Sequence, residues 1–145
     1  MDIKIKKLFY NSVTPTKGSN GAAGHDLYAR SESGAITIMP GETVKVGTGI
    51  ALEIPHNYTG LIFARSGLAT KRGLRPANCT GVIDEDFRGE VIVALHNDSK
   101  EPEHIFHGDR IAQLLIMPVL DFQLKVVDEI GNTERGECGF GSTGM

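Results

Sequence analysis

Between Thr43 and Ile54 the side chains Val44, Val46, Thr48, Ile50, Leu52 and Ile54 recur at every second position. Successive side chains of a strand point to opposite faces, so a period of two marks a strand buried on one side; a helix would scatter these six around its axis. Shorter apolar or alternating runs recur along the chain, at Ile3 to Leu8, Ala35 to Met39, Leu61 to Ala64, Val91 to Leu95, Ile111 to Val119 and Phe122 to Val127. Turn residues separate them, at Pro40-Gly41, Pro55-His56-Asn57, Asn97-Asp98-Ser99 and His107-Gly108-Asp109. Proline presets φ, while Gly, Asn and Asp tolerate or stabilise tight reversals. Strands so spaced predict an all-β sandwich or jelly roll. One short helix is expected over Ser66 to Arg72, with Ser66 capping its start and Gly73 ending it.

A chain of 145 residues fits one domain and buries roughly 70% of the surface its unfolded form exposes, so no disulfide or structural metal is needed to hold it. Cys79 and Cys138 stand far apart without CxxC or Cys/His spacing, which points to a reducing, intracellular setting. No stretch approaches membrane-spanning length. A net charge of −3 argues against a broad electropositive surface for long nucleic acids, so any anion must be gripped locally. Beyond Ile130 the sequence turns to glycine and polar residues that supply no apolar face. The expected organisation is a β domain over 1–130 and a flexible C-terminal arm over 131–145.

Five segments carry residue types suited to chemistry, each with a plain structural alternative. Ala64-Arg65-Ser66-Gly67-Leu68-Ala69 ends a strand and begins the helix, so Arg65, the Ser66 hydroxyl and free N–H groups can converge on an anion; an arginine at a strand end and a capping serine would look the same. Asp84, Glu85 and Asp86 lie between Gly81 and Gly89 at an expected hairpin tip. One carboxylate held there can take a proton from an attacking water, Asp84 and Asp86 can share a metal, or all three can simply be solvated; the spacing does not choose. Asp26, after Gly24-His25, either supports a site or starts a strand. In Gly108-Asp109-Arg110-Ile111-Ala112-Gln113-Leu114 the charges can sit on a solvated turn and Gln113 can face water. The tail joins Arg135 to Phe140-Gly141-Ser142-Thr143: backbone donors and hydroxyls able to wrap phosphates, with a ring able to stack, or a disordered terminus. The five histidines show no metal-ligand spacing.

Taken in order, these segments resemble the five motifs of the trimeric dUTPase family: Ala23-Gly24-His25-Asp26-Leu27, Arg65-Ser66-Gly67-Leu68-Ala69, Gly81 to Gly89, Gly108 to Leu114, and Arg135 to Gly144. The resemblance implies a distorted jelly roll of the β-clip kind and a homotrimer with active sites shared between subunits. It implies hydrolysis of dUTP to dUMP and pyrophosphate, which keeps uracil out of DNA and supplies dUMP for dTMP synthesis. Asp84 matches the carboxylate that activates water for attack on the α-phosphorus. Asn78 and Gly81 match uracil contacts, Phe87 the deoxyribose platform, and Arg65, Ser66, Gly67 and Gln113 the phosphate grip. Arg135, Phe140, Gly141, Ser142 and Thr143 match the closing arm, and Asp26 and Asp109 fall in supporting places. Mg²⁺ is implied as held by the triphosphate and water, so no side chain is assigned as its ligand. The chain departs from the family pattern at Phe87 and His25, where tyrosine is usual, and at Ala64, where proline is common. Two alternatives are a dCTP deaminase, related in fold, and a nucleotide-sensing protein that keeps the pocket with little catalysis.

Overall fold

The alternating run from Thr43 folds as two strands, not one. In the computed structural model, which describes residues 1–139, β5 (Thr43–Gly47) stops and β6 (Ile50–Glu53) begins across Thr48-Gly49. Gly49 takes φ +71°, and a side chain there would meet the Ser12 hydroxyl at 2.3 Å, so glycine is required for both conformation and space. The Thr48 hydroxyl donates to the Val91 carbonyl at 2.6 Å. The break moves the chain from one sheet to another without changing phase: Val46, Thr48, Ile50, Leu52 and Ile54 are all buried and Val44 half-buried.

The remaining strands are β1 (Lys4–Lys7), β2 (Thr16–Lys17), β3 (His25–Tyr28), β4 (Ile36–Ile38), β7 (Tyr58–Phe63), β8 (Leu74–Pro76), β9 (Thr80–Ile83), β10 (Ile92–Asn97), β11 (Glu103–Ile105) and β12 (Arg110–Pro118), with one helix, α1 (Ser66–Arg72), among the described residues. A five-stranded antiparallel sheet runs β2-β3-β12-β7-β9, a three-stranded one β5-β10-β8, and β1-β6 and β11-β4 form pairs. Their inner faces enclose a core containing Leu27, Ile38, Val46, Ile50, Leu74, Leu95, Ile105 and Ile111, each contributing about 1.5–3 kcal/mol by leaving water. This is a jelly-roll-like all-β architecture with a single short helix.

The Asn97 side chain, like that of Thr48, lies wholly inside. Asn97 donates to the carbonyls of Ile38 (2.9 Å) and Glu101 (2.8 Å) and accepts from the Ser99 N–H at 2.8 Å. With its hydrogen bonds made, its burial joins β10 to the end of β4 and the turn beyond at little cost. The other expected turns close through Glu42 N–H to Met39, Tyr58 N–H to Pro55 and Asp109 N–H to Phe106.

Three further local expectations differ from the structure. Arg65, not Ser66, is the N-cap of α1, and it makes no side-chain capping bond; Gly73 ends the helix as expected, at φ 66°. The acidic segment is not a hairpin tip, because β9 pairs with β7 and β10 with β5 and β8. Phe122 to Val127 forms no strand: alternation yields a strand only where an edge is available to pair with, and this run lies on the surface, apart from the sheets.

Candidate active site

The long central strand β12 gathers the first half of the site. Gln113 stands in register with Asp26 of β3 on one side and Phe63 of β7 on the other. Beyond Phe63 the chain leaves the sheet through Ala64 and Arg65 into α1, so Asp26, Gln113, Arg65 and the start of the helix converge. Arg65 Nε donates to Asp26 Oδ1 at 2.7 Å, Arg110 reaches Asp26 Oδ2 at 3.4 Å, and Gln113 Nε2 donates to the Ala64 carbonyl at 2.9 Å. Asp26 is 8% exposed. These groups line a cavity of about 450 Å³ together with Ser66, Gly67, Lys71 and Arg72. Its four cationic side chains face one carboxylate, and the N–H groups of the first helical turn have no intrahelical acceptor. Arg72 is also held outside by Glu103 at 2.6 Å. An anion is the species such a cavity suits. Gly24 is needed in its wall, because a Cβ there would stand 3.0 Å from both Gln113 Oε1 and Leu115.

A second concavity of about 310 Å³ is lined by Asn78, Gly81, Asp84 and Phe87 with Ile62, Val82, Ile83, Glu90, Val91 and Ile92. It opens beside β9, the edge of the five-stranded sheet, whose outer side meets no strand among the described residues. A turn closed by Phe87 N–H to the Asp84 carbonyl at 3.1 Å presents Asp84 at the mouth. Asp84 is exposed, and its carboxylate makes no hydrogen bond or ion pair among the described residues. The Phe87 ring packs on Gly89, where a Cβ would come within 2.7 Å of it.

The structure therefore brings Asp26, Arg65, Ser66, Gly67 and Gln113 to one cavity and Asn78, Gly81, Asp84 and Phe87 to another, and the two share no lining residue. Asp109 belongs to neither: its carboxylate accepts the Phe106 N–H at 2.8 Å within a turn. Arg135 also lies apart, donating to the Cys138 carbonyl at 2.9 Å. Phe140, Gly141, Ser142 and Thr143 lie outside the described residues. Sequence reasoning missed Lys71 and Arg72, and gave Arg110 no role beyond a charge that can sit on a solvated turn. The signal for Lys71 was its place four residues after Gly67, on the same helix face.

Among the described residues no three His, Cys, Asp or Glu side chains stand together around a possible ion, and both Asp26 oxygens are engaged by arginines. The described residues do not build a magnesium cage. No helix among them is long and apolar enough to cross a membrane.

The chain is 48% identical over 132 residues to a deoxyuridine 5'-triphosphate nucleotidohydrolase of Desulfitobacterium hafniense, covering 90% of this chain and 87% of that one. It is 43% identical to the protein of the same name from Hydrogenobaculum, covering 100% and 99%. Among solved structures, the dUTPase of Staphylococcus bacteriophage 80alpha with dUpNHpp superposes with a TM-score of 0.86 at 30% identity, covering 99% of both chains. The dUTPase family model matches residues 11–144, and with the ordered motifs and the jelly-roll-like fold these likenesses make the chain a member of the dUTPase family.

Proposed function

We propose that this chain is a dUTP diphosphatase that converts dUTP and water to dUMP and pyrophosphate. The observation that carries this is the exposed, unengaged carboxylate of Asp84 at the mouth of a pocket beside an open strand edge, in a chain that also builds a separate cationic cavity. Asp84 takes a proton from a water molecule, whose oxygen attacks the α-phosphorus. The bond from that phosphorus to the bridging oxygen breaks, and pyrophosphate leaves. Arg65, Ser66, Gly67 and Gln113 hold the phosphates, and Asp26 keeps Arg65 aimed. A Mg²⁺ ion carried by the triphosphate, and not by these side chains, would offset part of its charge.

Uracil pairs with the free edge of β9 and with Asn78, while Phe87 lies under the deoxyribose. A fixed pattern of donors and acceptors discriminates bases because each buried group left unpaired costs about 1–3 kcal/mol. The close backbone at Gly81 leaves little room for the thymine methyl. Arg135 and the run Phe140, Gly141, Ser142 and Thr143 form an arm, residues 131–145, that closes over the nucleotide. A cytoplasmic setting suits a nucleotide substrate and the exposed free thiols at Cys79 and Cys138.

Two features support a homotrimer with shared sites. A nucleotide that touches both the cationic cavity and Asp84 draws on two cavities with no common residue, which subunits meeting face to face can join. Moreover Leu120, Phe122, Leu124 and Val126 alternate at period two yet are 84%, 71%, 91% and 96% exposed. Such a run is costly in water and is buried when a neighbouring subunit receives it. Sedimentation equilibrium is expected to give three times the 15.6 kDa chain mass; a stable monomer at micromolar concentration sinks the shared-site arrangement.

The function itself is tested by pyrophosphate release from dUTP, dTTP, dCTP and UTP with Mg²⁺. Turnover confined to dUTP is the expected result. No hydrolysis of dUTP by folded protein overturns it, and ammonia released from dCTP would favour a deaminase.

A further inference from the structure

The three consecutive acids Asp84, Glu85 and Asp86 look interchangeable in sequence, and the structure separates them. Asp86 is exposed and has no side-chain hydrogen bond among the described residues, as befits a solvated turn. Glu85 is engaged at both oxygens. Its Oε1 lies 2.9 Å from His56 Nδ1, and its Oε2 accepts the Asn57 backbone N–H at 2.6 Å.

The turn that receives Glu85 is itself held in place. Tyr58 N–H closes onto the Pro55 carbonyl, and the Asn57 carbonyl accepts the Val119 N–H at 2.8 Å. Asn57 has φ 66°, a left-handed conformation uncommon outside glycine. Around Asp84 the other backbone groups are also fixed. The Thr59 hydroxyl donates to the Ile83 carbonyl at 2.8 Å, and Arg88 donates to the carbonyls of Glu85 at 2.6 Å and Phe87 at 2.9 Å.

We propose that Glu85, through His56 and the Asn57 N–H, is a positioning residue that locks the turn carrying Asp84 and Phe87 at the attitude catalysis requires. The proposal rests on the function set out above. As a contribution to stability this pair is minor, because the His56 side chain is 82% exposed and surface ion pairs are screened by solvent. As a positioning device it has leverage, since a carboxylate displaced by about 1 Å from the attacking water can lose up to about a hundredfold in rate.

The clamp has a pH signature. The hydrogen bond to Glu85, then its charge, with a smaller contribution from Asp121, raise the His56 pKa above its ordinary value. The His56 hydrogen bond and the Asn57 N–H lower that of Glu85, aided weakly by the charges of His56 and Arg88. The charged pair is therefore complete between the two. It weakens as pH rises through the raised His56 value, and again as pH falls through the lowered Glu85 value.

The test compares wild type with Glu85→Ala, Glu85→Gln, His56→Ala and His56→Gln in kcat, KM and pH profile for dUTP, and in hydrogen exchange of the amides from 84 to 88. Glu85→Ala is expected to lower kcat about tenfold with KM changed by less than about twofold, and to speed exchange in the turn. Glu85→Gln, which keeps an acceptor for Asn57, recovers part of the loss. His56→Gln keeps a donor and loses the pH-dependent decline that wild type shows as His56 deprotonates, whereas His56→Ala lowers kcat at every pH. Wild-type kcat and wild-type exchange in folded Glu85→Ala overturn the clamp while leaving the dUTPase function intact. Should wild type not hydrolyse dUTP, the function falls, and exchange in the turn together with the NMR titration of His56 in Glu85→Gln still decides the clamp. If Glu85→Ala does not fold, the two His56 variants decide it: unchanged kcat and unchanged pH profile in both would overturn it.

Discussion

Replacing Asp84 with Asn is expected to lower kcat for dUTP by about a thousandfold, within the span general-base catalysis usually supplies. The amide keeps the size of the carboxylate but cannot take the water's proton. KM should stay near wild type, because the proposed phosphate grip belongs to the other cavity, lined by Arg65 and Gln113. Stability should also hold: Asp84 is exposed and its side chain is unengaged, and surface changes of that kind usually stay within about ±0.5 kcal/mol. Pyrophosphate release paired with a thermal melt checks both halves. A variant that melts normally and turns over within tenfold of wild type would remove Asp84 from the chemistry.

Arg65→Ala should act on binding and stability together. The guanidinium is the closest partner of Asp26, at 2.7 Å, and its loss leaves that carboxylate with Arg110 at 3.4 Å. Breaking a fully buried pair costs about 3–5 kcal/mol; with the two side chains 28% and 12% exposed, solvent reduces this to about 2 kcal/mol. KM for dUTP should rise about a hundredfold, as a charge-assisted grip on phosphate is removed. The double variant Arg65→Ala/Asp26→Ala separates the effects. Removing the stranded carboxylate should restore much of the stability in urea denaturation and none of the KM. Recovery of KM along with stability would show that Arg65 serves the fold and not the phosphates.

Much of this was legible from residues alone, for a local reason. Alternation over Thr43 to Ile54 depends only on successive Cβ atoms pointing to opposite faces, so the buried set was correct even though Gly49 splits the run. Gly73 ended α1 because a left-handed residue is a property of the chain itself. β2 and β8 could not be seen, since two or three residues without a flanking apolar run show no period. Phe122 to Val127 misled because alternation signals a face to bury without saying which surface will bury it.

The candidate site divides along the same line. Residue types, their order and their spacing determined the family resemblance, hence the all-β class and the set of groups able to bind a nucleotide and activate water, because those depend on side-chain chemistry and on short-range turns. Only the tertiary structure decided how they are grouped: Asp26, Gln113 and Arg65 meet because β12 pairs with β3 and β7, contacts between residues dozens of positions apart. It also decided that Asp84 stands at a cavity separate from the cationic one, that Asp109 closes a turn, and that Glu85 is hydrogen-bonded to the His56 turn while Asp86 is not. Neighbours in sequence share a backbone but not an environment, and environment is set by which strands pair.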